Sequence, residues 1–344
     1  MGEFDLIARY FKRTARHAAL GVGDDCALLQ PKDGTQLTLS TDMLVERQHF
    51  FSDVDPYTLG HKALAVNLSD LAACGAKPLA FMLALSLASA DEAWLAAFSQ
   101  GLWALADVFD CDLIGGDTTR GPLTVCITVI GEVPVLAGRS TALLRSGAKP
   151  GEDVYVSGTL GDARLALDAL LGRINVPADV LTLARARLEM PTPRIALGIA
   201  LRGIATAAID LSDGLLGDLG HLLKSSQIGC TINADIATKL VAAQAYSAGA
   251  GGQFDLPFSS EQWRTLALSG GDDYELLFTA PRQHRPAVAA AAKASQTRVT
   301  CIGITEAMPG LRLVDGQGCR LPNTYTSFDH FALFNQREVE SDEW

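Results

Sequence analysis

The sequence predicts a mixed α/β protein built from two domains. Its 344 residues are enough for roughly two domains of ordinary size. Strand-like and helix-like patterns of apolar residues alternate along the chain, which is typical of folds that combine both elements. Residues 137–152 carry three glycines and a proline among polar side chains. They indicate a linker at 138–149 between a first domain at 1–137 and a second at 150–335.

The first domain is expected to contain both helices and strands. The predicted elements are a strand at 35–40, helices at 57–73 and 92–109, and short strands at 113–114 and 123–129. The earlier helix has the clearest pattern, because Leu64, Leu68 and Leu71 recur at helical spacing. Gly75 and Pro78 follow it and are expected to end it.

The second domain is expected to open with a strand at 153–157, followed by a helix from Asp162 to about Leu171. A buried strand is predicted to end at Ile209. An amphipathic helix comes next, and its apolar stripe consists of the leucines at 215, 216, 219, 222 and 223. The last residues, 336–344, are acidic and are expected to fray.

Composition and charge exclude several classes of function. Lys and Arg number 28 and Asp and Glu number 39, so the formal net charge is −11. This balance argues against a general nucleic-acid binder, although bound metal ions would still allow a phosphate ligand. No stretch approaches the ~20 apolar residues that a membrane span needs, and the acidic N-terminus is unlike a signal peptide. We expect neither nucleic acid nor a membrane as a partner.

Cysteine usage favours a reduced compartment. The chain has seven cysteines, which is an odd number, and none of them forms a Cys-x-x-Cys pair. A disulfide framework or a zinc site is therefore not indicated. We expect a cytoplasmic protein whose thiols are mostly buried.

Aspartates recur where apolar runs meet glycine-rich segments, while the P-loop, the dinucleotide-binding fingerprint and the protein-kinase motifs are absent from the sequence. The five segments are 21–26, 39–42, 115–119, 209–214 and 270–275. A further acid, Asp70, lies beside Asn67 on a predicted helix. Carboxylates at strand ends suit Mg²⁺, and glycines let phosphates approach the backbone. The pattern indicates a phosphate site with several metal ions.

Each motif also has a structural interpretation. A single Gly-Asp pair is usually a turn, and Ser212 or Asp213 could simply cap a helix. Capping does not explain Asp210, a second acid directly after an apolar residue. His49 lies on a predicted loop, where it faces either a ligand or solvent. Arg145 is either a solvated linker residue or a phosphate clamp.

Taken together, the segments resemble the thiamine-monophosphate kinase family along nearly the whole chain. The matching segments are GVGDDCAL at 21–28, STD at 40–42, KALAVNLSDLAA at 62–73, LIGGDTTRGP at 113–122, RSGAKPG at 145–151, IDLSDG at 209–214 and SGGDDYE at 269–275. The resemblance implies ATP-dependent phosphorylation of thiamine monophosphate to thiamine diphosphate, the last step of thiamine diphosphate biosynthesis, with several Mg²⁺ ions. It also implies a homodimer paired through N-terminal domains, with the active site in the cleft between the two domains.

The resemblance also implies roles for individual residues, carried over by motif. Metal ligands would be Asp25, Ser40, Thr41, Asp42, Asp70, Asp117, Asp210 and Asp213. Four of these ligands would act in catalysis through the metal that they bind: Asp42, Asp70, Asp117 and Asp210. ATP would contact Gly116, Asp117, Arg145 and Ser212, and thiamine monophosphate would contact His49, Asp272 and Phe328. The family usually has Glu where Asp272 stands, so the carboxylate here reaches one methylene less far.

The implied chemistry agrees with the residue types. The attacking atom would be a phosphate oxygen, which is mostly ionised near pH 7 because the second pKa of a phosphate is about 6. No general base is needed, and positioned metal ions would screen the repulsion between two polyanions. Two alternatives stay open: another ATP-dependent synthetase of the same superfamily, and a non-catalytic protein that binds nucleotide or metal.

Overall fold

The computed structural model describes residues 2–243, 256 and 258–328. Its helices are α1 (Glu3–Leu6), α2 (Pro56–Ala73), α3 (Glu92–Val108), α4 (Asp162–Leu170), α5 (Ala178–Glu189), α6 (Ile195–Leu201), α7 (Leu215–Ser226), α8 (Ala234–Thr238), α9 (Ser260–Ser269) and α10 (Arg285–Ala294). The predicted fraying at 336–344 lies outside the described residues. None of the described helices is long and apolar enough to cross a membrane.

The strands form one sheet in each half of the chain and a small hairpin near the N-terminus. They are β1 (Ala18–Leu20), β2 (Leu28–Leu29), β3 (Thr35–Val45), β4 (Lys77–Leu87), β5 (Asp112–Arg120), β6 (Thr124–Leu136), β7 (Arg139–Ser140), β8 (Asp153–Ser157), β9 (Ala207–Asp210), β10 (Gly229–Asn233), β11 (Leu276–Ala280), β12 (Val299–Glu306), β13 (Gly310–Val314) and β14 (Arg320–Leu321). The mixed α/β prediction is confirmed.

The first sheet has the strand order β3-β6-β4-β5, with β7 added beside β6 inside the segment predicted as a linker. Strands β3, β6 and β4 pair antiparallel, and β4 and β5 pair parallel. The second sheet has the order β14-β13-β10-β12-β8-β11-β9. Its edge strand β9 ends at Asp210 and pairs antiparallel with β11.

Helix α2 lies between the two halves of the protein. Asp55 caps its N-terminus by accepting the amide of Tyr57 at 2.7 Å, and Pro56 occupies its first turn. One side of α2 packs on the first sheet and on α3, and another packs on α6 and β9. Because it is covered on several sides, most of its residues are buried, including the polar Lys62, Asn67 and Ser69.

One hydrophobic cluster contains buried residues from both halves. It contains Leu64 of α2 and Phe81 of β4 together with Tyr155 and Phe278 of the second sheet. The rings of Tyr155 and Phe278 stack with their centroids 5.2 Å apart. The halves therefore share buried apolar surface, and the position of each relative to α2 is stabilised by the same contacts.

Three predictions about local structure are wrong or incomplete. Strand β3 runs to Val45 rather than ending at 40, so Asp42 lies inside a strand. The segment around Gly116 is also a strand and not a turn, because it pairs with β4. The two backbones approach so closely that a Cβ at Gly116 would lie 1.8 Å from the carbonyl oxygen of Leu83. The thiols are not mostly buried either: all seven cysteines are free, and of these Cys111 and Cys230 are buried.

The close contact between α2 and α3 yields a test of packing. A Cβ at Gly60 of α2 would lie 2.1 Å from the carbonyl oxygen of Phe98 of α3. Gly60→Ala should therefore lower the free energy of unfolding by about 2 kcal/mol or more, because overpacking outweighs the better helix propensity of Ala. The control is Gly220→Ala on α7, where the added Cβ meets open space. It should be neutral or stabilising in urea unfolding, and equal losses in both variants would contradict this account.

Candidate functional site

Three of the predicted metal ligands meet where α2 contacts both sheets. Asp42 lies on β3, Asp70 on α2 and Asp210 at the end of β9. The charge of Asp70 acts on the carboxyls of both Asp42 and Asp210, so the three side chains share one site. The amide of Asp42 donates to Oδ1 of Asn67 at 3.0 Å, which ties β3 to α2 at this point.

Hydroxyl groups orient two of these carboxylates. The Ser40 hydroxyl donates to Asp70, and the Ser69 hydroxyl donates to Oδ2 of Asp210 at 2.8 Å. Ser40 was predicted as a metal ligand, and it lies beside the carboxylate cluster as expected. Ser69 was not predicted, but its place one residue before Asp70 on a buried helix was an available signal.

Burial and mutual repulsion raise the pKa values of these carboxyls. Burial raises the pKa of Asp42 to about 6, and the charges of Asp70 and Asp213 add to the shift. Burial is also the main cause that raises the pKa of Asp70 and of Asp210. The guanidinium of Arg145 opposes the shift at Asp70. A further cation would relieve this repulsion, and a donor set made of oxygen atoms matches the preference of Mg²⁺.

Asp218 is a fourth buried acid at the site, and the sequence analysis missed it. It lies in the first turn of α7, is 3% exposed, and accepts the amide of Asp213 at 3.1 Å. Burial, followed by the charge of Asp213, raises its pKa to about 7. Its position among the leucines of an apolar stripe could have revealed it, since a carboxylate there must be buried with them.

The loop between β9 and α7 connects the carboxylate cluster with two predicted substrate residues. The carbonyl oxygen of Ser212 accepts the amide of Asp272 at 2.8 Å. The carbonyl oxygen of the next residue, Asp213, accepts the amide of Phe328 at 3.2 Å. Asp272 and Phe328, which are far apart in sequence, therefore dock on neighbouring peptide groups of one loop.

A pocket opens beside the first turns of α2. Five parts of the chain form its walls: the loop at 48–54, α2, α4, the end of α5 and the turn that carries Asp272. Its apolar lining includes Phe50, Leu59 and Leu188, and its polar lining includes His49, Lys62, Glu189 and Asp272. Two of the three predicted substrate residues, His49 and Asp272, therefore line one pocket.

The ring of His49 is oriented by the end of β3. Its Nδ1 accepts the amide of Val45 at 3.0 Å, so the proton of the neutral ring is carried by Nε2. The sequence predicted a loop residue that could face a ligand, and the structure places this ring at the pocket wall.

A buried charge cluster, also missed by the sequence analysis, supports the turn that carries Asp272. Glu275 is fully buried, and its carboxylate pairs with Arg187 of α5 at 2.8 Å and with Arg194 at 2.5 Å. Arg187 also donates to the carbonyl oxygen of Asp273 at 3.1 Å. Because α5 supplies one wall of the pocket and this turn supplies another, the cluster holds the two walls together.

Several predicted ligands lie away from the carboxylate cluster. Asp25 is on the exposed loop after β1. Asp42 of β3 is aligned with Gly116 of β5 through the two strands between them, β6 and β4. Asp117, the next residue, therefore lies three strand spacings, or about 14 Å, from Asp42. The hydroxyl of Thr41 is 2.8 Å from that of Thr128, on the opposite face of β3 from Asp42. Within residues 2–243, 256 and 258–328, no three His, Cys, Asp or Glu side chains form a metal-binding group as they stand.

The raised pKa of Asp218 yields a prediction about stability. The folded carboxyl keeps its proton up to about pH 7, whereas the unfolded one loses it near pH 4, so this group destabilises the fold as pH rises through that interval. Asp218→Asn keeps an oxygen for the amide of Asp213 but cannot ionise. In urea unfolding with a chelator, the free energy of unfolding of the variant should exceed that of the parent by an amount that grows by roughly 1–3 kcal/mol from pH 4 to pH 8. A difference that stays constant with pH would contradict the prediction.

Comparisons with known proteins agree with this geometry. Residues 23–133 match the family model "AIR synthase related protein, N-terminal domain". The chain is 48% identical over 338 residues to a curated thiamine-monophosphate kinase from Salmonella typhimurium strain LT2, covering 96% of this chain and 98% of the relative.

Solved structures of similar proteins share the fold. A thiamine-monophosphate kinase from Stenotrophomonas maltophilia K279a is 42% identical, with a TM-score of 0.77. The match covers 90% of this chain and 94% of that chain. The complex of AaThiL with AMPPCP and TMP is 28% identical, with a TM-score of 0.71 and coverage of 88% and 89%. With this identity over nearly its full length, the chain belongs to the thiamine-monophosphate kinase family.

Proposed function

We propose that this protein transfers the terminal phosphoryl group of ATP to thiamine monophosphate and so forms thiamine diphosphate. One arrangement carries the proposal: α2 presents a pocket and a carboxylate cluster on the same face. Lys62 lines the pocket and Ser69 contacts Asp210. These two residues are seven positions apart, which is close to two helical turns and about 10.5 Å along the helix.

This spacing suits an acceptor that has rings at one end and a phosphate at the other. The pocket offers apolar surface and the carboxylate of Asp272, which fit an aminopyrimidine and a thiazolium cation. The phosphate end would then point along α2 towards Asp42 and Asp210. Phe328, which is half exposed and docked on Asp213, is proposed to pack against the acceptor from the neighbouring loop.

The carboxylate cluster is proposed to hold Mg²⁺. Asp42, Asp70 and Asp210, with the Ser40 hydroxyl and Asp213, offer the oxygen donors that this ion takes. Bound Mg²⁺ would neutralise the charge of the two phosphate chains during an in-line transfer. The protein's own part is to place the acceptor oxygen and to keep the donor phosphates in line with it.

The nucleotide is proposed to extend from this cluster across the first sheet. Arg145, whose charge acts on Asp70, and Ser212 would contact the phosphates near the cluster. Gly116 and Asp117 lie about 14 Å away on β5. A nucleotide spans such a distance. Asp117 and Asp25, and Thr41 on the opposite face of β3 from Asp42, are proposed as ligands of ions separate from those of the carboxylate cluster.

The face of the first sheet that points away from α2 is proposed to pair with a second copy of the chain. Leu39, Met43 and Met82 are 65%, 55% and 42% exposed on it, and they lie on β3 and β4, the two strands that flank β6. Exposed apolar side chains in one patch indicate an interface. The free cysteines and the need for ATP support a cytoplasmic location.

The choice of acceptor tests the proposed function. The purified protein with ATP and Mg²⁺ should convert thiamine monophosphate to thiamine diphosphate and should leave free thiamine unphosphorylated. The phosphate acceptor arrives already ionised, whereas an alcohol needs a general base. Chromatographic detection of the products checks both parts. Efficient phosphorylation of thiamine would contradict the mechanism, and turnover of neither compound would favour the synthetase or the non-catalytic alternative.

Removal of single charges tests the carboxylate cluster. Asp42→Asn and Asp210→Asn should each lower kcat at least ~100-fold, because positioned charge supplies most of the catalysis in phosphoryl transfer. Both variants should stay folded in a thermal melt, since they remove a buried repulsion. Asp33→Asn, on an exposed loop, is the matched control and should keep full activity. A folded Asp42→Asn protein with near-normal turnover would show that this residue does not hold the metal.

A further inference from the structure

Lys62 is a buried cation in the wall of the pocket. It lies on the second turn of α2, and its side chain is 5% exposed. Burying an ammonium group costs free energy unless it is paired, so an apolar side chain would serve packing at this position better. The presence of a lysine therefore calls for a role beyond packing.

Two contacts define that role. The Nζ of Lys62 lies 3.4 Å from Oδ2 of Asp272 and donates to the carbonyl oxygen of His49 at 3.5 Å. Lys62 thereby connects three walls of the pocket: α2, the loop that carries His49 and the turn that carries Asp272. Both of these contacts are to residues that the proposed function assigns to the acceptor.

The carboxylate of Asp272 is held from both sides. Its Oδ2 pairs with Lys62, and its Oδ1 accepts the hydroxyl of Tyr274 at 2.9 Å. The backbone of Asp272 has φ of +63°, a left-handed conformation that places this short side chain at the pocket. A third of the Asp272 side chain is exposed, whereas Lys62 behind it is almost fully covered. The carboxylate is thus the more accessible of the two charged groups.

We infer that Lys62 is a positioning residue for the acceptor, which fixes the Asp272 carboxylate so that it can accept a hydrogen bond from the amino group of the acceptor's ring. This inference rests on the proposed function. Without Lys62, the carboxylate would keep the Tyr274 bond alone and could rotate away from the ring. Lys62 is distant from the carboxylate cluster by about two turns of α2, so ATP recognition should not depend on it.

Steady-state kinetics with each substrate varied in turn test the inference. Lys62→Met should raise the KM for thiamine monophosphate about 10-fold, the scale of one hydrogen bond to a charged group, and should leave the KM for ATP within about twofold. Asp272→Asn should give a similar change. The double variant should be no worse than either single variant, because both act through one contact. Lys293→Met, on the exposed side of α10, is the matched control and should change neither KM.

Calorimetric binding of thiamine monophosphate without ATP separates this inference from the proposed function. If the wild-type protein binds the compound but forms no thiamine diphosphate, the proposed function fails while Lys62 is still tested by affinity. Should Lys62→Met melt below the assay temperature, Lys62→Gln, which keeps amide donors, is expected to show a smaller loss of acceptor affinity. Unchanged acceptor affinity in a folded Lys62 variant, or effects of Lys62→Met and Asp272→Asn that multiply, would overturn the inference.

Discussion

Like charges are brought together at the contact between α2 and β9, and much of the protein is arranged around them. Asp42, Asp70 and Asp210 share a partly buried place, where burial raises the pKa of each carboxyl, the charge of Asp70 raises that of Asp42, and the charges of Asp70 and Asp42 raise that of Asp210. Such a cluster is costly in a fold unless something offsets it. Here the apolar core shared by both halves supplies the stability. The side-chain oxygen of Asn67 accepts the backbone amide of Asp42, and the hydroxyl of Ser69 orients the carboxylate of Asp210. The repulsion left over supports the proposal that the cluster binds cations.

The loop after β9 connects the carboxylate cluster with the residues proposed to bind the acceptor. Asp210, the last residue of β9, belongs to the carboxylate cluster, and the carbonyl oxygens of Ser212 and Asp213 in the loop accept the amides of Asp272 and Phe328. Behind Asp272, the buried Glu275 pairs with two arginines and ties the turn to α5. Because these contacts form one connected structure, the distance between the proposed acceptor pocket and the carboxylate cluster is determined by packed elements. Phosphoryl transfer depends on that distance, since its catalysis consists mainly of positioning.

The parts of the site that sequence could predict are those with local signals. Asp210 and Asp213 follow an apolar strand and precede a helix, so their place at a strand end could be seen directly. Asp218 and Lys62 lack a motif of this kind: their one signal is a charged residue inside an apolar helical stripe, which does not indicate what the side chain contacts. Their partners come from other elements: the amide of Asp213 lies a turn away, and Asp272 lies on a distant turn. Glu275 was likewise hidden, since its two arginines lie more than one element away along the chain.

By itself, the sequence determined the α/β class, the bounds of the main helices and the family, because periodicity, caps and ordered motifs are local properties of the chain. Tertiary structure alone decided which aspartates share a site. The segment around Gly116 reads as a turn from its glycines, yet β4 pairs with it and makes it a strand. That pairing sets Asp117 apart from Asp42, whereas the packing of β9 on α2 brings Asp210 to Asp70. Distances between elements depend on register and packing, which no local pattern encodes.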